Sequence, residues 1–297
     1  LNCFENALGR RIPWSFGGHQ IKVIPHAFSD ANAFYSKQNE ALLFGYFPSP
    51  QRPRKRIFTC LSHDVVVHET THALLDGIKP RFIDPAGPDQ GGFHEGFADT
   101  IAILSVFSLP EIVHVALDPR PVQGRWQLRK SLLLSVAKEI GREINHGIHR
   151  ALRQPTLLRP SKNLIHRTDY QMPHPRGEIL VAALLNAFLA VWERRVKMLS
   201  GRSRYPKRDC VIEEGAHLAG YLLNLCIRAL DYTPPVDLSF GDFLSALLTA
   251  DIENSHNDSR VNIRHAIRTS FASFGIHPST SGQSRERGVW NRYSKKL

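Results

Sequence analysis

The sequence is poor in sulfur, in acidic charge and in long apolar runs. Its 297 residues include four cysteines and two methionines. Cys3, Cys60, Cys210 and Cys226 stand far apart and form no CxxC pair, which argues against a disulfide framework and against a cysteine-ligated zinc site. No apolar run reaches the length of about 20 residues that a membrane-spanning helix needs. The closest, Ile179 to Trp192, is interrupted by Asn186, so no membrane span is expected. The opening residues, LNCFENALGRR, lack the basic start and apolar centre of a secretory signal, and a cytoplasmic location is the expectation. Asp and Glu number 27 against 38 Lys and Arg, for a formal charge of +11. Such a balance raises nucleic acid as a partner. The basic residues are dispersed, however, outside QRPRKR (51–56), 194–208 and 285–296, and no zinc-finger, RNA-recognition or basic-zipper pattern accompanies them. A solvated basic surface accounts for them, and no specific nucleic acid is expected.

What is present begins with enough apolar residues, 42%, for a sizeable core. GGHQIKVIPHAF and EALLFGYF have strand-like content, broken by Gly, Pro and Asn. From about residue 63 the pattern changes. HDVVVHETTHALLD predicts a helix ended by Gly77 and Pro80, KPRFIDPAGPDQGG predicts a loop, and FHEGFADTIAILSVFS predicts a second helix stopped at Pro110. Apolar residues at three- and four-residue steps predict further helices over Trp126–Asn145, Glu178–Leu199, Val211–Asp231, Phe240–Glu253 and Asn262–Phe274. The expected fold class is α+β: a strand-containing N-terminal lobe (1–78) ending in the HETTH helix, and a helical C-terminal lobe (79–297). No pattern in the sequence speaks to oligomeric state.

The informative stretch is VVVHETTHALLDG (65–77). Residues four apart on a helix lie one turn above each other, so His68 and His72 project together and can share one ion. Zinc accepts neutral imidazole nitrogen, and a catalytic zinc takes three protein ligands plus water. Glu69, one position along, stands beside the pair and can reach the water. The bland alternative is a helix whose histidines hydrogen-bond inside the core, so a third ligand has to be found independently. GGFHEGFADTIAIL offers one. Glu95 and Asp99 are again four apart; Glu95 completes a His/His/Glu set, and Asp99 can accept the free N–H of a liganding histidine. His94 competes as a ligand but points about 100° away from Glu95 on a helix.

With HExxH followed by a helix bearing ExxxD, the sequence resembles the thermolysin-like zinc metallopeptidases. The resemblance covers about residues 20 to 255. It implies a thermolysin-like fold, one catalytic Zn²⁺ held by His68, His72 and Glu95, Glu69 as general base, and Asp99 supporting a ligand histidine. DANAFYSKQNEALLFGYF (30–47) looks like the family's edge strand, which places Asn32 and Ala33 on the backbone of an extended peptide or protein substrate. DYQMPHPRGEILVAALLNAF resembles the segment supplying a second active-site histidine, which makes His174 the donor to a developing oxyanion and Asp169 the carboxylate that orients it. RALRQP (150–155) is similar to the segment whose Arg binds the peptide carbonyl, falling on Arg153, with Leu152 as a pocket wall. RALDYTPPVDLSFGDFLSALLTAD (228–251) looks like the family's structural C-terminal signature.

The chain departs from the family pattern in three places. Pro175 and Arg176 follow His174 where small and amide residues are usual, and Arg176 could itself supply positive charge. No tyrosine lies between His72 and Glu95, where the family has one that assists the oxyanion. Too few carboxylates accompany Asp64 for the family's calcium cluster, the position eleven after Glu95 being Val106, so structural calcium is not expected. The expected activity is therefore that of a zinc endopeptidase. An inactive zinc-binding relative acting as an interaction protein, and a basic nucleic-acid-binding protein with an accidental HExxH, remain as alternatives.

Overall fold

The computed structural model describes residues 1–49, 52–84, 86–117, 120–121, 125–129, 158–199, 206–254, 262–279 and 288–290. Within them the chain is α+β. A four-stranded sheet comprises β1 (Lys22–Phe28), β2 (Ala33–Ser36), β3 (Ala41–Pro48) and β4 (Arg56–Phe58). β3 is central: β1 runs parallel to it, β2 antiparallel on its other side, and β4 pairs antiparallel with its C-terminal end. Ala33 stands opposite Phe44 and Ser36 opposite Ala41. Among the described strands β2 pairs with β3 alone, so its outer edge is open. Gly45 in β3 is what lets the chain enter β2 so closely. A Cβ there would lie 2.3 Å from the Asp30 carbonyl oxygen, and the Gly45 N–H donates to the Asn32 carbonyl at 2.9 Å.

The helices are α1 (Asn2–Leu8), α2 (His63–Ile78), α3 (Pro88–Phe107), α4 (Pro110–Ala116), α5 (Pro173–Leu199), α6 (Arg208–Ala229), α7 (Phe240–Asn254) and α8 (Ile263–Ser273). α2 joins two cores. Val65 and Ala73 pack with Ala33, Leu42 and Phe44 beneath the sheet, whereas Leu74 and Leu75 belong to the main core built from α3, α5, α6 and α7. Phe4, Ala7 and Ile12 belong to that main core too, so the first residues of the chain pack with the helical part. Among the described residues no single helix is long and apolar enough to cross a membrane.

Three element boundaries differ from expectation. α3 starts at Pro88, five residues before Phe93, inside a segment expected to be a loop. α5 starts at Pro173, five before Glu178, so His174 lies in a helix's first turn and not in a Pro-rich loop. Proline suits both starts, because its missing N–H is one the first turn leaves unbonded. Gly77 lies within α2 and does not end it; its Cβ would fall 2.0 Å from the Pro13 carbonyl oxygen, so this glycine serves close packing. The other three helices agree with the expected spans within three residues at each end. The helix expected over Trp126–Asn145 lies outside the described residues from position 130 onward.

α3 and α5 cross at glycines. A Cβ on Gly96 would stand 2.6 Å from the Gly177 carbonyl oxygen and 2.9 Å from its Cα, and a Cβ on Gly92 would stand 2.4 Å from Arg176 Cγ. The two backbones therefore approach more closely than any side chain permits. Gly96→Ala is expected to lose about 1–3 kcal/mol by overpacking. Gly220→Ala, in α6 with its nearest neighbour at 3.8 Å, is expected to gain about 0.5–1 kcal/mol from helix propensity. Denaturant midpoints of the two variants check both signs.

Candidate metal centre

The crossing brings three helices to one point. α2 contributes His68 and His72, α3 contributes Glu95 and α5 contributes His174. The His68 and His72 Nε2 atoms are 2.9 Å apart. Glu95 Oε2 lies 3.5 Å from His68 Nε2, 3.8 Å from His72 Nε2 and 3.3 Å from His174 Nε2. One donor atom from each of His68, His72 and Glu95 falls within 4.8 Å of the other two, an arrangement that could hold a metal ion. The donor chemistry fits a divalent transition metal: two imidazoles and a carboxylate, shielded from solvent. Glu95 Oε2 is buried with no hydrogen bond among the described residues, and two imidazole nitrogens converge at hydrogen-bond distance. A shared cation satisfies all three atoms at once.

Supporting groups surround these donors. Asp99, buried one turn beyond Glu95, places Oδ1 2.7 Å from His68 Nδ1. That leaves Nε2 of His68 for the shared point. His94 is turned away from the donor cluster; its ring stacks on His72 with centroids 4.5 Å apart and planes 15° from parallel. The carboxylate of Glu69 is buried beside the cluster and accepts the Tyr35 backbone N–H at 3.0 Å. This bond comes from the open edge of β2 and ties the sheet to the helix. Asn32 and Ala33 line the same cleft, together with Phe34, Tyr35 and Ile83. The Asn32 side-chain oxygen accepts the Ala33 N–H at 2.9 Å.

Burial and charge set the protonation of these groups. Burial raises the Glu69 carboxyl to about 7, against the lowering influence of His68 and the Tyr35 N–H. Burial pulls on Glu95 in the same direction, but the adjacent His68, His72 and His174 outweigh it and leave Glu95 well below the usual carboxylate range. Burial opposes charge on His68, yet Asp99 and Glu95 overcome it and its pKa stands well above the ordinary imidazole value. Burial, together with His68 and His94, holds His72 well below that value.

Several expected residues fall elsewhere. Asp169, expected to orient His174, is engaged at the exposed surface by Arg167, at 2.9 Å and 2.5 Å. Two positions separate them in a tight 3₁₀ turn, which makes the guanidinium its nearest cation. Arg176 does not supply charge to the cleft. It is buried against Asp89 (Nε–Oδ1 2.7 Å), the Ile165 carbonyl and the Phe240 ring, where it clamps the starts of α3, α5 and α7. Arg153 and Leu152 lie outside the described residues.

Three features escaped sequence reasoning. The bond from Tyr35 to Glu69 uses a backbone donor, which no residue pattern reports. Asp76, fully buried one turn beyond His72, accepts from Ser15, from the Tyr35 hydroxyl (2.9 Å) and from Lys37 (3.1 Å). With that network, burial holds the Tyr35 phenol up at about 12 and its hydroxyl turned from the cleft. Glu178, one turn beyond His174, is buried near Asp99, and its four-residue step from His174 was the one available signal.

The chain matches no protein-family model and no curated protein sequence. What fold and site define is an α+β protein with a partly buried His/His/Glu cluster that could hold a metal ion.

Two outcomes follow from this geometry. Asp99→Asn is expected to weaken metal binding by about 10–100-fold, because His68 loses the carboxylate that orients it; titration with Co²⁺ followed by its visible absorption measures this. Burial, then Asp99, raises Glu178 to about 7. A carboxyl whose folded pKa lies above its unfolded one contributes stability at low pH that is lost as pH rises through the folded value. Glu178→Gln is therefore expected to be more stable than the parent chain by ~1–3 kcal/mol at pH 8, with the difference vanishing near pH 4. Melting temperatures across that window check it.

Proposed function

We propose that this chain is a thermolysin-like zinc metallopeptidase, an endopeptidase that hydrolyses peptide bonds with Glu69 as general base. The observation that carries the reading is the convergence of His68, His72 and Glu95 with a buried carboxylate, Glu69, beside them. A purely structural metal site has no use for such a base. Zinc, when bound by these three side chains, supplies Lewis acidity that acidifies a water and polarises a carbonyl.

The remaining chemistry belongs to the chain. Glu69, raised by burial to about 7, is poised both to accept a proton from water and to release it to the leaving nitrogen near neutrality. The Tyr35 N–H holds the Glu69 carboxylate in place. His174, lining the cleft 3.3 Å from Glu95, donates to negative charge developing on the scissile carbonyl oxygen. The open edge of β2 at Ala33, with Asn32 beside it in the cleft wall, is where an extended peptide can pair as a further strand. Ile83, eleven residues after His72, lines the cleft in the interval where the family has its tyrosine, so His174 carries more of the oxyanion stabilisation. The same substitution favours a second reading, a zinc-binding relative without turnover.

Bound zinc and cleavage of a broad peptide library, measured on the native chain and on Glu69→Gln, separate the readings. Both chains are expected to hold one zinc, with turnover in the variant lowered at least about 10²–10⁴-fold. His174→Ala is expected to lower kcat by about 10²–10³-fold with KM little changed. Equal activity in Glu69→Gln sinks the general base, and stoichiometric zinc without turnover in the native chain supports the inactive relative.

A further inference from the structure

A second cavity of about 380 Å³ adjoins the cleft and shares Ile83, His94 and Glu95 with it. It is walled by Phe82, Pro88 and Pro173, with Asp84 and Gln171 among its lining residues. We propose that this cavity is a specificity subsite for a cationic side chain of the peptide, lysine or arginine, recognised by Asp84. The proposal rests on the peptidase reading and names a substrate class for it.

Charge is the first argument. In a chain with 38 Lys and Arg against 27 Asp and Glu, the charged residues lining this cavity among the described residues are Asp84 and Glu95, both acidic. Glu95 faces the metal cluster, which leaves Asp84 as the net charge of the cavity. Its backbone is fixed, the N–H donating to the Arg81 carbonyl at 3.2 Å and the carbonyl accepting from Gln90 at 2.6 Å. Among the described residues no cation pairs with its carboxylate.

The neutral polar groups point the same way. Gln171 spends its amide N–H groups on the carbonyls of Ile165 (3.2 Å) and Arg167 (3.0 Å), so the group left to offer is its oxygen, an acceptor. The Nε2 atom of His94 is shielded from solvent and has no partner among the described residues. An anion is disfavoured although α3 begins here. Its first position is Pro88, which has no N–H, and Asp89 in its first turn is already bound by Arg176 and by the Phe240 N–H. The apolar walls suit a methylene stem whose charged tip reaches a carboxylate at the rim. An acceptor-rich wall, without a cation among the described residues, discriminates against neutral and acidic side chains through the unpaired carboxylate they leave behind.

The test uses the zinc-loaded Glu69→Gln chain, which binds without turnover. Acetylated and amidated alanine hexapeptides carry one arginine, or one norleucine, scanned through the positions, and calorimetry measures binding. At one position arginine is expected to bind about tenfold tighter than norleucine. Adding Asp84→Asn is expected to abolish that preference while leaving norleucine binding unchanged, which also reports that the cleft is intact. Gln171→Lys, a cation placed in the wall, is expected to reduce it independently. Equal binding of both peptides at every position, or a preference undiminished by Asp84→Asn, overturns the subsite. Cleavage by the native chain with no preference for arginine overturns the subsite and leaves the peptidase standing. Binding of no peptide at all overturns both.

Discussion

The close crossing of α3 and α5 is the constraint on which the centre depends. With no Cβ at Gly92, Gly96 or Gly177, the two backbones touch, and the side chains flanking the contact are carried to one point. Glu95 sits one residue before Gly96, and His174 three before Gly177. Any side chain at the crossing separates the helices and pulls Glu95 away from the imidazoles of α2. Arg176 closes the same junction from the other side, its aliphatic stem against Gly92 and its guanidinium on Asp89 and the Ile165 carbonyl. Arg176, which looked like a departure from an active-site pattern, belongs to this joint.

Around that joint the same four-residue step occurs on three helices: His68 and His72 on α2, Glu95 and Asp99 on α3, His174 and Glu178 on α5. On α2 both members face the shared point, whereas on α3 and α5 the first member lies at the cluster and the second one turn away. Burial penalises charge on His68, His72, Glu95, Asp99 and Glu178, so the cluster is tolerable only because carboxylates and imidazoles compensate one another or share a cation. The opposite shifts of His68 and His72 show the asymmetry. Asp99 makes His68 the cationic ring when no ion is shared, and the two imidazoles cannot both carry charge at 2.9 Å.

The sheet enters through a single strand edge. β2 is held to β3 by register and by the tight passage over Gly45, and its outward Tyr35 N–H reaches Glu69. The Tyr35 hydroxyl, with Lys37 and Ser15, meets Asp76 at the other end of the same helical face. Strand and helix are thus joined at two points that flank the imidazoles. This suits a cleft that must keep its walls fixed while one edge stays open.

The His/Glu/His spacing, the Glu95–Asp99 step and the α+β class were legible in the sequence, because local helix geometry dictates which side chains share a face. Helix interiors were legible for the same reason: their apolar period is a local property. The starts of α3 and α5 were not. Glycine and proline in PDQGG and PHPRG carry turn signals, and it takes the partner helix to reveal that those glycines are needed for contact. The partner of Asp169, the burial of Arg176, the backbone bond to Glu69 and the lone carboxylate of Asp84 depend on groups distant in the chain. The sequence by itself determined which residues could act as donors and which stood together on each helix. Only the tertiary structure decided which of these donors meet, because the approach of two helices is set by the side chains absent between them, and no local pattern records what a missing Cβ will touch.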